Sequence, residues 1–179
     1  MTQVVLTDKK GNKLGLMDKL NAHKNPGFLH RAISVVLYKR TAKGVEILLQ
    51  KRAKSKPLWP LNWANTVCTH PLDGESNLDC AVRRLKEEVG IEMKKVQLPE
   101  LYRFYYQADY SEEYSEHELD TVVVGEYGGG WNLNPEEAAD ARWISWQALK
   151  TEIREQPDIF TPWFLMIIKN KAFRRELGI

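Results

Sequence analysis

Residues 32–38 form an almost continuous apolar run in which Ile33, Val35 and Val36 are β-branched. That composition in so short a segment reads as a buried strand. A buried strand must be covered, so the rest of the chain has to supply neighbouring strands and helices. Gly44 interrupts the chain and residues 45–51 resume as a second strand, placed to form a hairpin with the first. Residues 4–6 read as a strand running into a turn at 10–13, residues 54–60 as a basic loop ending in Leu58-Trp59-Pro60, residues 65–69 as a short strand and 71–75 as a loop. Ser76 opens a helix with Asp79 as its capping-box partner; Ala81, Val82, Leu85 and Val89 make the apolar face, and Gly90 closes it. Residues 100–108 and 118–127 read as strands joined by an acidic loop, Gly128-Gly129-Gly130 as a turn, 142–145 as a short strand and 146–154 as a helix. Thr161-Pro162 opens a last helix expected to reach about Leu177, since proline suits a first turn. Strands interleaved with a few helices predict an α/β chain of the α+β sandwich kind, a mixed sheet flanked by helices.

The 179 residues suffice for one domain, 1–179, with a sizeable core. With 43% hydrophobic and 28% charged residues the chain is expected to be globular and ordered. A net charge of +2 is too balanced to argue for nucleic acid or membrane binding. Cys68 and Cys80 make no disulfide framework, so a reducing cytoplasm is expected. The first ten residues show no secretory signal, and the apolar stretch 163–168 is far short of the roughly 20 residues a bilayer requires.

Four groups of residues carry chemistry. His23, His30 and His70, with Glu116 and Glu118 two apart on one strand face, would suit a divalent ion such as Mn²⁺, Zn²⁺ or Mg²⁺ in a mixed nitrogen and oxygen shell. Cys68 and His70 repeat that spacing, while His117 points away from the carboxylates. Spacing alone is weak evidence for such a site, and the same residues also read as surface histidines and a solvated acidic hairpin. Glu75, Arg83, Glu87 and Glu88 gather around the loop and helix ending at Gly90; they could hold a hard cation bridging to a diphosphate, or could be helical ion pairs such as Arg84 with Glu88. Lys19, Arg52, Lys54, Lys56 and Arg84 could grip phosphate or merely solubilise the surface. Six tryptophans are core or lid candidates, and one could face a reaction centre.

The segments His30-Arg31-Ala32, Arg52-Ala53-Lys54-Ser55-Lys56, Trp59-Pro60, Asn65-Thr66-Val67-Cys68-Thr69-His70-Pro71, Gly74-Glu75-Ser76-Asn77, Arg83-Arg84-Leu85, Glu88-Val89-Gly90-Ile91 and Glu116-His117-Glu118 closely resemble type 1 isopentenyl-diphosphate isomerases, in order and spacing over nearly the whole chain. The resemblance implies a Nudix-like fold and interconversion of isopentenyl and dimethylallyl diphosphate, in isoprenoid biosynthesis. It implies a metal held by His23, His30, His70, Glu116 and Glu118, and a Mg²⁺ near Glu88 that arrives with the substrate diphosphate. It further implies diphosphate contacts from Lys19, Arg52, Lys56 and Arg84, a catalytic pair Cys68 and Glu118, Tyr106 in support of proton delivery, and Trp163 facing a cation. The expected partner is a small diphosphate and the expected state a monomer or weak homodimer.

Two departures from the general Nudix signature bear on chemistry. Thr69 stands where that signature has its first glycine, and Arg84 stands where it has the first glutamate of the helix. A cation there argues against a diphosphatase. A non-catalytic binding module is the third alternative, and it would be expected to have lost one or more of these residues.

Overall fold

The structure, a computed structural model, describes residues 2–179. It is built around a nine-stranded sheet whose pivot is β3 (His30–Thr41). One edge of β3 is shared in succession by β1 (Gln3–Thr7) at His30, β6 (Val67–Thr69) at Ile33 to Val35, and β4 (Gly44–Arg52) from Tyr38 to Thr41, all antiparallel. The other edge runs parallel to β8 (Ser115–Glu126), with His30 opposite Glu118 and Ser34 opposite Val122. β8 carries β7 (Glu100–Asp109) on its far side, β4 carries β9 (Ala138–Ser145) and β5 (Trp63–Ala64), and β1 carries β2 (Lys13–Asp18). The expected mixed sheet with flanking helices is thus found.

Alternation along the strands sends side chains to two cores. Ile33, Val35, Leu37, Leu48 and Val123 face α2 (Asn77–Val89), which buries Cys80, Ala81, Leu85 and Val89 against them. Val36, Tyr38, Ile47, Leu49, Val122 and Val124 face α3 (Trp146–Glu155), α4 (Pro162–Lys169) and α5 (Lys171–Leu177). Ser34 is the polar interruption of the 32–38 run: it is fully buried and donates to Asp120 Oδ2 at 2.7 Å.

Several sequence expectations need adjusting. The strand expected at 65–69 is only Val67–Thr69, with a separate two-residue strand before it at Trp63–Ala64, because Asn65 and Thr66 leave the ladder: the Asn65 amide donates to the Val35 and Val67 carbonyls, and Thr66 Oγ1 accepts from Leu37 N–H and donates to Leu48 C=O. The last helix is two helices, broken where Asn170 takes an extended backbone and its side chain caps α5 through the Ala172 N–H. A short helix α1 (Lys19–Ala22) and strand β2 escaped the sequence reading. Strand β8 begins at Ser115 rather than 118, which brings Glu116 into the sheet. Ser76 does cap α2 by accepting from the Asp79 N–H, but the Asp79 carboxylate accepts from the Ser76 hydroxyl instead of closing a box on the backbone. Among the described residues no helix is long and apolar enough to cross a membrane.

Gly90 ends α2 with φ +66°, and a Cβ there would lie 2.7 Å from the Asn132 carbonyl oxygen. Gly74 has φ +76° but open space around it. Gly90→Ala is therefore expected to lower the unfolding free energy by about 2–4 kcal/mol, and Gly74→Ala by about 1 kcal/mol, the cost of the left-handed backbone alone. Urea midpoints compare the two; equal losses would mean that the Asn132 contact relaxes freely.

Candidate active site

Strands β3, β4, β6, β7 and β8, helices α1, α2 and α4 and the loops after α1, β4 and β6 bring the chemistry-bearing residues together around one end of the sheet. The parallel register sets His30 beside Glu118, and the antiparallel register of β7 sets Tyr106 on the other side of Glu118. Tyr106 Oη donates to Glu118 Oε2 at 2.6 Å. β6 sets Cys68 opposite Ser34, and His70 follows at the end of that strand. His23 caps the C-terminus of α1, and its backbone carbonyl accepts from the Ser115 N–H at 2.8 Å, which pins it beside the start of β8.

One ligand atom each from His23, His30, His70 and Glu118 lies within 4.8 Å of the others. His23 Nδ1 donates to the Lys19 carbonyl (2.6 Å) and His30 Nδ1 to the Phe28 carbonyl (2.7 Å), so the neutral form of each ring carries its proton there and turns the Nε2 lone pair inward. His30 Nε2 and His70 Nε2 stand 3.1 Å apart, and His70 Nε2 is 2.9 Å from Glu118 Oε1. Glu116 Oε2 lies 2.9 Å from His23 Nε2 yet, by the direction of that approach, is a buried oxygen without a hydrogen-bond partner. Buried lone pairs facing one another are what a cation relieves, so the donor set fits a divalent metal.

The charges around the set follow from burial and neighbours. Burial, then the Lys19 ammonium and the neighbouring His30 and His23 rings, hold the His70 imidazole well below its usual pKa, in the neutral form a metal ligand needs. Burial works against a charged His23 too, but the Glu116 carboxylate outweighs it and raises that ring. Burial, then Glu118 and Asp120, push the Cys68 thiol well up, so it keeps its proton. Tyr106 is raised by burial and Glu118 in the same way. Burial opposes ionisation of Glu118, but His30 and Tyr106 more than compensate and lower it; Asp120, next on the same strand face, is raised by burial and by Glu118.

His23, His70, Glu116, Glu118, Cys68 and Trp163 line a single cleft with about 460 Å³ of atom-free space, part of it open to solvent, and Lys19, Arg52, Lys56 and Arg84 line it too. An adjoining chamber shares Lys19, Lys56, His70 and Arg84 and adds Arg83 and Glu137. Burial, then Lys56, lowers the Lys19 pKa, with Arg52 and Arg84 adding to the repulsion. Such crowding of like charge makes sense for holding a multivalent anion.

The NUDIX domain family matches residues 28–164. A protein of Aliivibrio fischeri (strain MJ11) named isopentenyl-diphosphate Delta-isomerase is 40% identical over 168 residues, spanning 93% of this chain and 92% of that one. One of the same name from Nocardia farcinica is 36% identical over 178 residues, spanning 98% of both. The chain belongs to the isopentenyl-diphosphate Delta-isomerase family. A solved Deinococcus radiodurans structure, 17% identical, superposes with a TM-score of 0.68 over 87% of this chain and 90% of its own, a likeness of fold.

For an isomerase of this family, the thirteen residues expected from sequence are mostly brought together, with Glu88 set apart. Glu88 is buried on α2 with both oxygens engaged: Oε1 accepts from Arg84 Nε (3.0 Å) and Nη2 (2.7 Å), and Oε2 from Gln50 Nε2 (3.0 Å). It does not line the cleft, and it faces the site through Arg84. Arg52 has a double task, since Nε and Nη2 also donate to the Leu58 and Trp59 carbonyls and hold the basic loop in place. Trp163 Nε1 donates to Asn65 Oδ1 at 3.1 Å, and the Arg52 guanidinium sits 5.3 Å from its ring centroid. His117 turns away to Gly27 and Tyr105, as the alternation requires. Sequence reasoning missed Asn65 as the tether of Trp163, and Asp120 and Glu137 as further carboxylates. Asp120 could have been found, since it extends the alternation of Glu116 and Glu118; Glu137 has no periodic signal.

Metal content separates the sets. One divalent ion per chain should survive dialysis in the parent and in Glu88→Gln, while His30→Gln should bind it at least tenfold more weakly, in the range seen when a metal site is disturbed. Elemental analysis after chelator stripping and reloading with Mg²⁺, Mn²⁺ or Zn²⁺ checks this; full metal content in His30→Gln would take that imidazole out of the site.

Proposed function

We propose that this protein interconverts isopentenyl diphosphate and dimethylallyl diphosphate by adding and then removing a proton, as an enzyme of isoprenoid biosynthesis. The observation that supports it above the others is one cleft that joins an acid–base group, a metal-ligand set, an aromatic wall and four cations, in a chain of the isopentenyl-diphosphate Delta-isomerase family. The four cations suit the diphosphate, with Lys19, Lys56 and Arg84 reaching the adjoining chamber as well. A Mg²⁺ arriving with that diphosphate would need Glu88 to exchange its Arg84 contact for the ion.

The substrate is an alkene with no carbonyl to acidify its protons, so proton addition to the terminal carbon comes first and leaves a tertiary carbocation. Loss of a proton from the neighbouring methylene completes the shift. Cys68 and Glu118 are the pair we assign to these two transfers: they come from β6 and β8, on either side of β3, and both line the cleft. The Tyr106 hydroxyl, 2.6 Å from Glu118 Oε2, is set to pass a proton to or from that carboxylate. Trp163, buried and tethered by Asn65, offers its π face to the cation and keeps water from capturing it. A divalent cation held by His23, His30, His70, Glu116 and Glu118 would draw charge from Glu118 and tune its acidity. Mn²⁺, Mg²⁺ and Zn²⁺ all suit such a shell.

Diphosphate hydrolysis is the weaker reading. Where a hydrolase places a glutamate on this helix stands Arg84, whose guanidinium is spanned by Glu87, Glu88 and Glu137 and leaves those carboxylates committed.

Cys68→Ala and Glu118→Gln should each cut turnover by about 10²–10⁴-fold, the usual contribution of a general acid or base, in folded protein. Turnover and deuterium uptake from D₂O into product read this out, with metal content measured alongside for Glu118→Gln and Cys80→Ala as control. Near-parent turnover in Cys68→Ala would remove the thiol from the mechanism. At Trp163, phenylalanine should retain much more activity than leucine at similar stability, because only the aromatic ring presents a π face; equal rates would leave the side chain a packing role.

A further inference from the structure

Glu137 is a carboxylate set among the cations of the diphosphate chamber. Its backbone is stitched on two sides: its N–H donates to the Asn134 carbonyl (3.0 Å), Asn134 N–H donates to the Glu88 carbonyl at the end of α2 (2.9 Å), and its own carbonyl accepts from Ala53 N–H (3.1 Å) at the start of the basic loop. The side chain spans the gap between those elements, with Oε2 on Lys56 Nζ and Oε1 3.1 Å from Arg84 Nη2. Arg84 is held from its own helix by Glu88 at 2.7 Å and does not depend on Glu137. Among the described residues, Lys56 has no other carboxylate within 4.0 Å, and Lys19 on the same wall has none.

We propose that Glu137 is a built-in counter-anion of the diphosphate subsite: it neutralises Lys56 when no substrate is bound, and a diphosphate oxygen must displace it. The inference rests on the isomerase reading of this chamber. Substrate and product carry the same diphosphate, so each contact to it strengthens the binding of both and does nothing for the barrier between them. Four cations without a competitor would retain product. A carboxylate competing for one lysine weakens both complexes and lets product leave. Because the Glu137 backbone is fixed at both ends, displacement is a swing of the side chain alone.

The test is calorimetric titration of inorganic pyrophosphate into the full-length parent, Glu137→Gln and, as control, the neighbouring Glu136→Gln. Each is measured once with excess chelator and once with saturating Mg²⁺. Glu137→Gln should bind pyrophosphate about tenfold or more tightly under both conditions, Glu136→Gln should match the parent, and KM for isopentenyl diphosphate should fall in Glu137→Gln without a rise in kcat. Unchanged affinity in folded Glu137→Gln would overturn the proposal. Weakening with Mg²⁺ alone would make Glu137 a cation ligand, and weakening under both conditions a brace for Lys56; either also overturns it. A parent that isomerises, paired with a Glu137→Gln variant of parental affinity, sinks this inference and leaves the function standing. Tighter binding by Glu137→Gln of a parent that does not isomerise does the reverse.

Discussion

The parallel pairing of β3 with β8 carries the site. It sets His30 level with Glu118 and so brings His70, which follows β6 on the other edge of β3, to the same carboxylate; β7 adds Tyr106 through its own pairing with β8, and Cys68 lies opposite Ser34 on the same face. A slip of one residue would turn Glu116, Glu118 and Asp120 to the other face, under α2, where the neighbours are Ile33, Val35 and Leu37. The burial of those apolar side chains on one face is thus what holds the polar set in place on the other.

Burying three carboxyl groups in a row on one strand face is costly, and the surroundings answer each differently. Glu116 faces His23, Glu118 receives Tyr106 and two imidazoles, and Asp120 takes one hydrogen bond from Ser34 and keeps an unpartnered Oδ1. Asp120 is accordingly pushed towards its neutral form while Glu118 is held ionised. Pairs of titratable groups driven apart in this way are where proton chemistry is found. The basic wall works by the opposite device, crowding like charges until an anion is required. Glu137 tempers it.

Most of the elements were legible. The β-branched run at 32–38, the hairpin across Gly44 and the Ser76-to-Gly90 helix each rest on local chemistry: steric preference, capping and helical spacing. At two of the places where the reading failed, a side chain had replaced a local rule. Asn65 and Thr66 broke a strand by bonding backbone groups of β3 and β4, and Asn170 ended one helix by capping the next. Those are long-range or competing contacts, which local patterns do not contain.

The sequence by itself determined which residues share a strand face, since alternation puts Glu116 with Glu118 and turns His117 away, and it supplied the cations and the cysteine motif whose resemblance named the chemistry. Spacing could not say whether histidines at 23, 30 and 70 meet, because they lie at a helix cap, a strand start and a strand end that only the folded sheet brings together. Tertiary structure decided that, and it decided the partners of Glu88 and Glu137. On helix α2 the i to i+4 geometry allowed Arg84 to meet Glu88, but whether that carboxylate faced a cation site or the core depended on Gln50 arriving from β4. Local geometry determines direction along a chain; which charges are desolvated, and against what, is set by elements distant in sequence packing together.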